Sequence, residues 1–242
     1  MSTYDFLGLV NDVAESRFNE VPLTSSNFTT AGGFYTAAKN GVNASLRTIN
    51  HMAFNWPWNH VSYSETLVDG QSRYDYQSDT KSVDYDSFRI RPDDTLGNNA
   101  QPLTYIDYDE YLSKLGGEEY DTNVNKDLPR YVFQQQKLGY GVWPVPDQAY
   151  TLDYEYFSVQ PELSAATDVP TVPVQFKTLI VDGASYYGYL FRSDYESADR
   201  VMKKFTDDLN DLKNIYIARK DHIWDTRVGN DRRNTNRFIE VR

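Results

Sequence analysis

The feature that most constrains this chain is a change of hydrophobic period. Between about His60 and Val159 apolar residues recur at every second position, whereas on either side they recur at the three- and four-residue spacing of a helix. Neither a plain helical bundle nor a plain β-protein has that layout. It predicts an α+β fold, in which N-terminal and C-terminal helices form one helical bundle, an antiparallel β-sandwich or barrel-like domain is inserted between them, and an extended C-terminal tail follows. The expected boundaries are 1–58 for the N-terminal helices, 59–170 for the β-domain, 171–220 for a helical hairpin and 221–242 for the tail.

The helices are read from stripes and stops. Phe6, Leu9, Val10, Val13, Ala14 and Phe18 trace a first helix, ended by Val21-Pro22. A second stripe runs from Phe34 through Ala38, Gly41, Ser45 and Ile49 to Ala53. Gly32-Gly33 blurs its start, and Trp56-Pro57-Trp58 stops it because a proline drives the residue before it out of the helical region. Near the C-terminus, Phe176, Leu179, Ile180, Gly183, Ala184, Tyr187, Leu190 and Phe191 predict one buried face. Small residues on that helix leave room for a neighbouring backbone, so Leu179, Gly183, Ala184 and Tyr187 are candidates for helix packing or contact between subunits. Ser193-Asp194-Tyr195-Glu196 matches a capping box, and a second stripe follows through Ala198, Val201, Phe205, Leu209, Leu212, Ile215 and Tyr216.

In the middle, strands are expected over 61–68, 72–77, 82–90, 103–106, 130–136, 138–143 and 151–157, with a short helix over 107–115. Leu152, Tyr154 and Tyr156 alternate with Asp153 and Glu155, the mark of a sheet with one dry and one wet face.

Charge and composition narrow the function. The chain is net −11, but residues 221–242 hold five Arg against four acids, so the tail is +1 and the remaining 220 residues sum to −12. Wrapping nucleic acid needs dense Lys and Arg on the contact surface, and an acidic body argues against it. There is no cysteine, which excludes disulfides, thiolate metal sites and cysteine nucleophiles. No leader pattern or apolar run of membrane-spanning length is present, so a soluble, cytoplasmically made chain with no membrane partner is expected.

Catalysis finds no constellation. His51, His60 and His222 lack ligand spacing, so neither a metal nor another cofactor is expected. The acidic pairs, Asp84/Asp86 foremost, read as solvated surface beside Lys81, Arg89 and Arg91, although a hydrolase could use two converging carboxylates. Trp56, Trp58 and Trp143 could make a sugar-stacking platform, which leaves a β-sandwich binding module, such as a fibre or carbohydrate-binding protein, as the alternative; their plainer role is core filling. Five arginines with Trp224 and Phe238 as apolar anchors make the tail a segment suited to fold onto a partner.

Val10-Asn11-Asp12, Glu20-Val21-Pro22, and the helix carrying Asn43 and Ile49-Asn50 that closes on Phe54-Asn55-Trp56 resemble the tail tubular protein A family, the head-to-tail adaptors of short-tailed bacteriophages. Pro144-Val145-Pro146, Tyr154-Glu155-Tyr156, Leu163, Asp168-Val169-Pro170, Pro173 and the helix bearing Leu179, Gly183 and Ala184 extend the likeness, leaving about Tyr63 to Asn125 unmatched. The resemblance implies a non-enzymatic virion protein of the tail and neck: a homo-oligomeric ring, a dodecamer, beneath the portal protein. The tail nozzle protein would attach below and tail fibres at the side, and double-stranded DNA would pass through the lumen without sequence-specific binding. It also implies that the C-terminal segment reaches the portal, which assigns portal binding to Trp224, Arg227, Arg232, Arg233, Arg237 and Phe238 by position.

Overall fold

The computed structural model describes residues 3–92, 100–114 and 126–216. These divide into two compact units, one drawn from Met1–Phe54 and Glu162–Arg242, the other from Asn55–Pro161. Five helices are described: α1 (Phe6–Phe18), α2 (Phe34–His51), α3 (Tyr108–Lys114, in the second unit), α4 (Lys177–Phe191) and α5 over residues 195–216.

In the first unit, local chemistry sets the helix ends. Asp5 caps α1 by accepting from the Gly8 N–H at 2.7 Å, and Asn19 closes it in a left-handed conformation, φ 52°. Gly33 caps α2 at φ 62°, where a side chain would be strained, which fixes the start that the glycine pair had blurred. Trp56 is extended, ψ 132°, as Pro57 requires.

Helices α1, α2 and α4 pack against one another in all three pairs. A Cβ on Gly41 of α2 would lie 2.7 Å from the Ala184 carbonyl oxygen, and one on Gly183 would lie 2.6 Å from Ser45 Oγ. The two helices therefore meet backbone to backbone. Every residue of α4 from Leu179 to Ser185 is buried, so this helix is enclosed on all sides where one buried face was expected. Two polar residues survive there because each is paired. Ser185 Oγ donates to the Val181 carbonyl at 2.7 Å, and the Asp182 carboxylate, 1% exposed, accepts from Arg17 of α1 and, at 2.7 Å, from Lys204 of α5.

The expected stripes overrun in two places. Tyr187 and Phe191 emerge at 37% and 54% exposure, and Ile215 at 60%. Periodicity says which residues share a face, not where the neighbouring helix stops.

Among the described residues the second unit has eight strands: β1 (His60–Thr66), β2 (Arg73–Asp75), β3 (Thr80–Arg91), β4 (Gln101–Pro102), β5 (Thr104–Tyr105), β6 (Tyr131–Gln134), β7 (Gly139–Trp143) and β8 (Thr151–Ser158). They make two open four-stranded sheets, ordered β1-β8-β3-β4 and β2-β7-β6-β5, and not a closed barrel. All pairs are antiparallel except β5 with β6, which is parallel and corrects the expectation of a wholly antiparallel domain. The chain changes sheets at Leu103: its N–H donates to Phe88 in the first sheet, and the next N–H, of Thr104, donates to Arg130 beside the second. Phe88, Ile90, Leu152, Tyr154 and Tyr156 of the first sheet share one core with Tyr74, Val132, Tyr140 and Val142 of the second. A smaller cluster, with Phe133 stacked on Tyr111 at 3.8 Å and Trp143 beside them, seals α3.

Candidate assembly surfaces

Two asparagines tie extended chain to the helices. Asn11 of α1 gives and accepts one backbone hydrogen bond each with Leu23, at 2.9 and 2.7 Å; Asn43 of α2 does the same with Leu163, both at 3.0 Å. Each side-chain amide replaces a strand partner, satisfying a carbonyl and an N–H that packing would otherwise orphan. Beyond Leu163, Asp168 folds its carboxylate back onto the Ser164 and Ala165 N–H groups, both at 2.7 Å, which hold its pKa below the usual carboxylate range. Its carbonyl then accepts from the Phe6 N–H at 2.8 Å, seating this segment on the start of α1. These are Asn11, Asn43, Leu163 and Asp168 of the resembling stretches, and their shared property is a hydrogen-bonding job inside one unit.

One corner of this unit exposes apolar surface. Arg192 lies over the rings of Phe18 and Phe34, 5.0 and 5.5 Å from their centroids, and bonds Glu20 at 2.7 Å. Around it Phe191 packs edge-on to Phe34, Tyr35 donates to the Val21 carbonyl at 2.6 Å, and Val21 itself is 76% exposed. Tyr187 lies one turn before Phe191, and Tyr195 opens α5 at 65% exposure. Of the residues chosen from sequence on α4, Leu179, Gly183 and Ala184 are consumed by packing within the chain, and Tyr187 alone faces outward. The tail candidates Trp224, Arg227, Arg232, Arg233, Arg237 and Phe238 lie outside the described residues.

The second unit concentrates charge. Residues 55–161 hold 18 Asp and Glu against 8 Lys and Arg, a net −10 of the chain's −11. On the wet face of the first sheet, a depression is lined by Ser62 and Ser64 of β1, Asp153 and Glu155 of β8, and Asp84, Asp86 and Arg89 of β3. A bulge in β3 between Asp84 and Arg89 shapes it: Ser87 Oγ takes the Glu155 N–H at 2.8 Å, and the Asp86 N–H turns back to Asp84 Oδ1 at 3.1 Å. Asp153 is paired with Arg91 at 2.7 Å and Glu155 with His60 at 3.0 Å. His51 is exposed at the end of α2, and His222, Asp93/Asp94 and Glu118/Glu119 lie outside the described residues. Among the described residues no group of three His, Asp or Glu could hold a metal ion, and no helix is long and apolar enough to cross a membrane.

The tryptophans do not form a shared platform. Trp56 is wholly buried and stacked on Trp58 at 4.6 Å, and Trp143 is 4% exposed inside the α3 cluster, so neither offers a ring face to a sugar; Trp58 is half-buried.

Compared with known proteins, the family described as SU10 adaptor protein matches residues 4–233, nearly the whole chain. No curated protein matches it.

Proposed function

The chain belongs to the family of phage head-to-tail adaptors described as SU10 adaptor protein, and from that premise we propose that its copies form a ring, a dodecamer, beneath the portal protein of the virion. The match carries this reading, because its span takes in both helical ends, the β-unit and most of the tail. The ring extends the DNA channel and offers an attachment surface to the nozzle and fibres. In each subunit the first unit makes the bundle, and the second, Asn55–Pro161, an inserted sandwich.

Three physical features support the role. A backbone-to-backbone helix contact and a buried Asp182 clamp make a stiff subunit, which a ring carrying internal pressure requires. Heterologous ring contacts need an outward apolar patch on each copy, and the corner bearing Tyr187 and Phe191 supplies one. Finally, a unit of net −10 repels DNA phosphates, so a channel wall built from it lets DNA slide rather than stick. The tail residues Trp224, Arg227, Arg232, Arg233, Arg237 and Phe238 anchor the ring to the portal.

Co-sedimentation with the portal ring of the same virus tests this. The full-length protein is expected to join the portal stoichiometrically, and a chain ending at Lys220 to stay behind. If both join, the tail is not the anchor; if neither joins at low or near-physiological salt, the adaptor reading fails.

A further inference from the structure

The two sheets end on four edge strands, and three of them are very short: β2 has three residues, β4 two and β5 two. Short edges are one of the ways proteins avoid pairing with other chains. Strand β1 is different. It runs for seven residues, is paired with β8 in unbroken register from His60↔Phe157 to Thr66↔Thr151, and carries no proline, lysine or bulge. On its outer side the His60 N–H already donates to the Pro57 carbonyl, and among the described residues the outward backbone groups of Ser62, Ser64 and Thr66 have no backbone partner. Three residues of alternate, unused pairing remain as a template.

The charge beside this edge points to the sign of an occupant. Asp84 and Glu155 are register partners on adjacent strands, so two carboxylates stand directly opposite each other, an arrangement that costs stability. Glu155 has His60 as its partner, while Asp84 and Asp86 make no ion pair among the described residues. The strand between this acidic row and the open edge presents Ser62 and Ser64, whose register partners are Glu155 and Asp153. An added strand would lie about 4.8 Å beyond β1 and twice that from β8. Serines leave the surface of β1 low enough for the long stems of Arg or Lys on that strand to cross it and bring their charges to the acidic row.

We propose that β1 captures an extended, arginine- or lysine-rich segment of an assembly partner by strand addition, with its cationic side chains laid over Ser62 and Ser64 toward Glu155, at the near side of the acidic row. This rests on the adaptor reading only for the existence of a partner. Backbone pairing supplies affinity, and the alternating charges supply register and choice of partner.

The probe is a blocked seven-residue peptide alternating valine with arginine, titrated into the full-length protein by fluorescence anisotropy, with a valine–glutamate peptide as control. The arginine peptide should bind, the glutamate peptide should not, and amide hydrogen exchange should slow at Ser62, Ser64 and Thr66. The double substitution Asp84→Asn/Glu155→Gln, which touches no core residue, should weaken binding at least tenfold without lowering the melting temperature, since it also removes two opposed carboxylates. Binding without slowed exchange in β1 would show charge attraction alone and overturn strand addition. Absence of binding, equal binding of both peptides, or an unaffected double variant would each overturn the proposal. Portal co-sedimentation is scored separately, so the adaptor reading can stand while this fails, and the reverse.

Discussion

The two units of this chain solve the same packing problem with opposite materials. The helical unit brings backbones together by removing side chains: Gly41 meets Ala184, and Gly183 meets Ser45 and Phe205. The β-unit fills its interior with rings, from Tyr74, Phe88, Tyr140 and Tyr154 in the shared core to Phe133 stacked on Tyr111. A core of small residues is intolerant of any added atom near the backbone. A core of tyrosines must instead find a place for each hydroxyl, and it is vulnerable to whatever ionises them.

The largest expected consequence is alkaline unfolding of the β-unit ahead of the helices. Burial raises the pKa of eight of its tyrosines, among them Tyr85, Tyr140 and Tyr154, whereas in the helical unit only Tyr4, pushed up to about 12, and Tyr35 are raised among the described residues. A tyrosine whose pKa is higher folded than unfolded stabilises the fold fully below the unfolded value near 10, and that contribution is lost as pH rises through the folded value. Near-ultraviolet dichroism and tyrosinate absorbance should therefore change above pH 10 while far-ultraviolet helicity persists. Simultaneous loss of both signals would mean that the units do not unfold independently.

Next in size is a matched pair of glycine substitutions. Gly41→Ala drives a methyl into the Ala184 carbonyl, and Gly141→Ala drives one to 2.2 Å from the Phe133 ring. Each should cost about 3 kcal/mol in urea unfolding. Their rescue should differ. Phe133→Leu removes the obstacle in the β-unit, so the double variant with Gly141→Ala should be more stable than additivity predicts. No side-chain trimming can rescue Gly41→Ala, because the obstacle there is main chain. Equal rescue by Tyr187→Ala would contradict the backbone-to-backbone contact.

Much of this contrast was legible in the sequence, for a physical reason. Helix and strand periods are local, so α1, α2 and α4 and all the strand regions are found within a few residues of their stripes, and the small residues of α4 announce a close approach. What failed is what depends on distant neighbours. The parallel β5·β6 pair arises from a sheet change at Leu103 that no local pattern marks. Asp182 inside the run Leu179–Ser185 is a legible anomaly, a lone acid among apolar and small residues, yet the cations that satisfy it, Arg17 and Lys204, come from other helices. On α4, Gly183 and Ala184 lie in the helix packing that small residues announce, while no local pattern marks Phe191 and Tyr195 as outward. The tail, 221–242, is legible only as composition.

A subtler test concerns hydroxyls within the ring core. Tyr140 donates to Glu65 Oε2 at 2.7 Å, so Tyr140→Phe strips a half-buried carboxylate of its donor and should cost about 2 kcal/mol. The Tyr154 hydroxyl is buried with no hydrogen-bond partner among the described residues. Removing it in Tyr154→Phe should be neutral or slightly stabilising, since an unsatisfied polar group leaves the core. If the two variants behave alike, the tyrosines act as hydrocarbon only, and the distinction between satisfied and unsatisfied rings has no energetic meaning here.

The smallest effect lies at the corner between α4 and α5, where the capping motif was misread by one residue. Ser193 is not the cap of α5 but the left-handed end of α4, φ 57°, with its N–H on Leu190 and the Asp194 N–H on Tyr189. Asp194 caps α5 instead, accepting from the Ser197 N–H at 3.1 Å, and the Ser197 hydroxyl together with that N–H holds its pKa below the usual carboxylate value. Replacing Ser193 by glycine relieves a left-handed serine but loosens the unfolded chain, so thermal unfolding should change by only a few tenths of a kcal/mol, in the stabilising direction. Asp194→Ala should lower the melting temperature, and the wild-type advantage over it should vanish as pH falls through the depressed carboxylate pKa. Were Ser193→Gly the damaging change and Asp194→Ala the silent one, the capping box would stand as first read, and the corner would belong to α5 rather than to the end of α4.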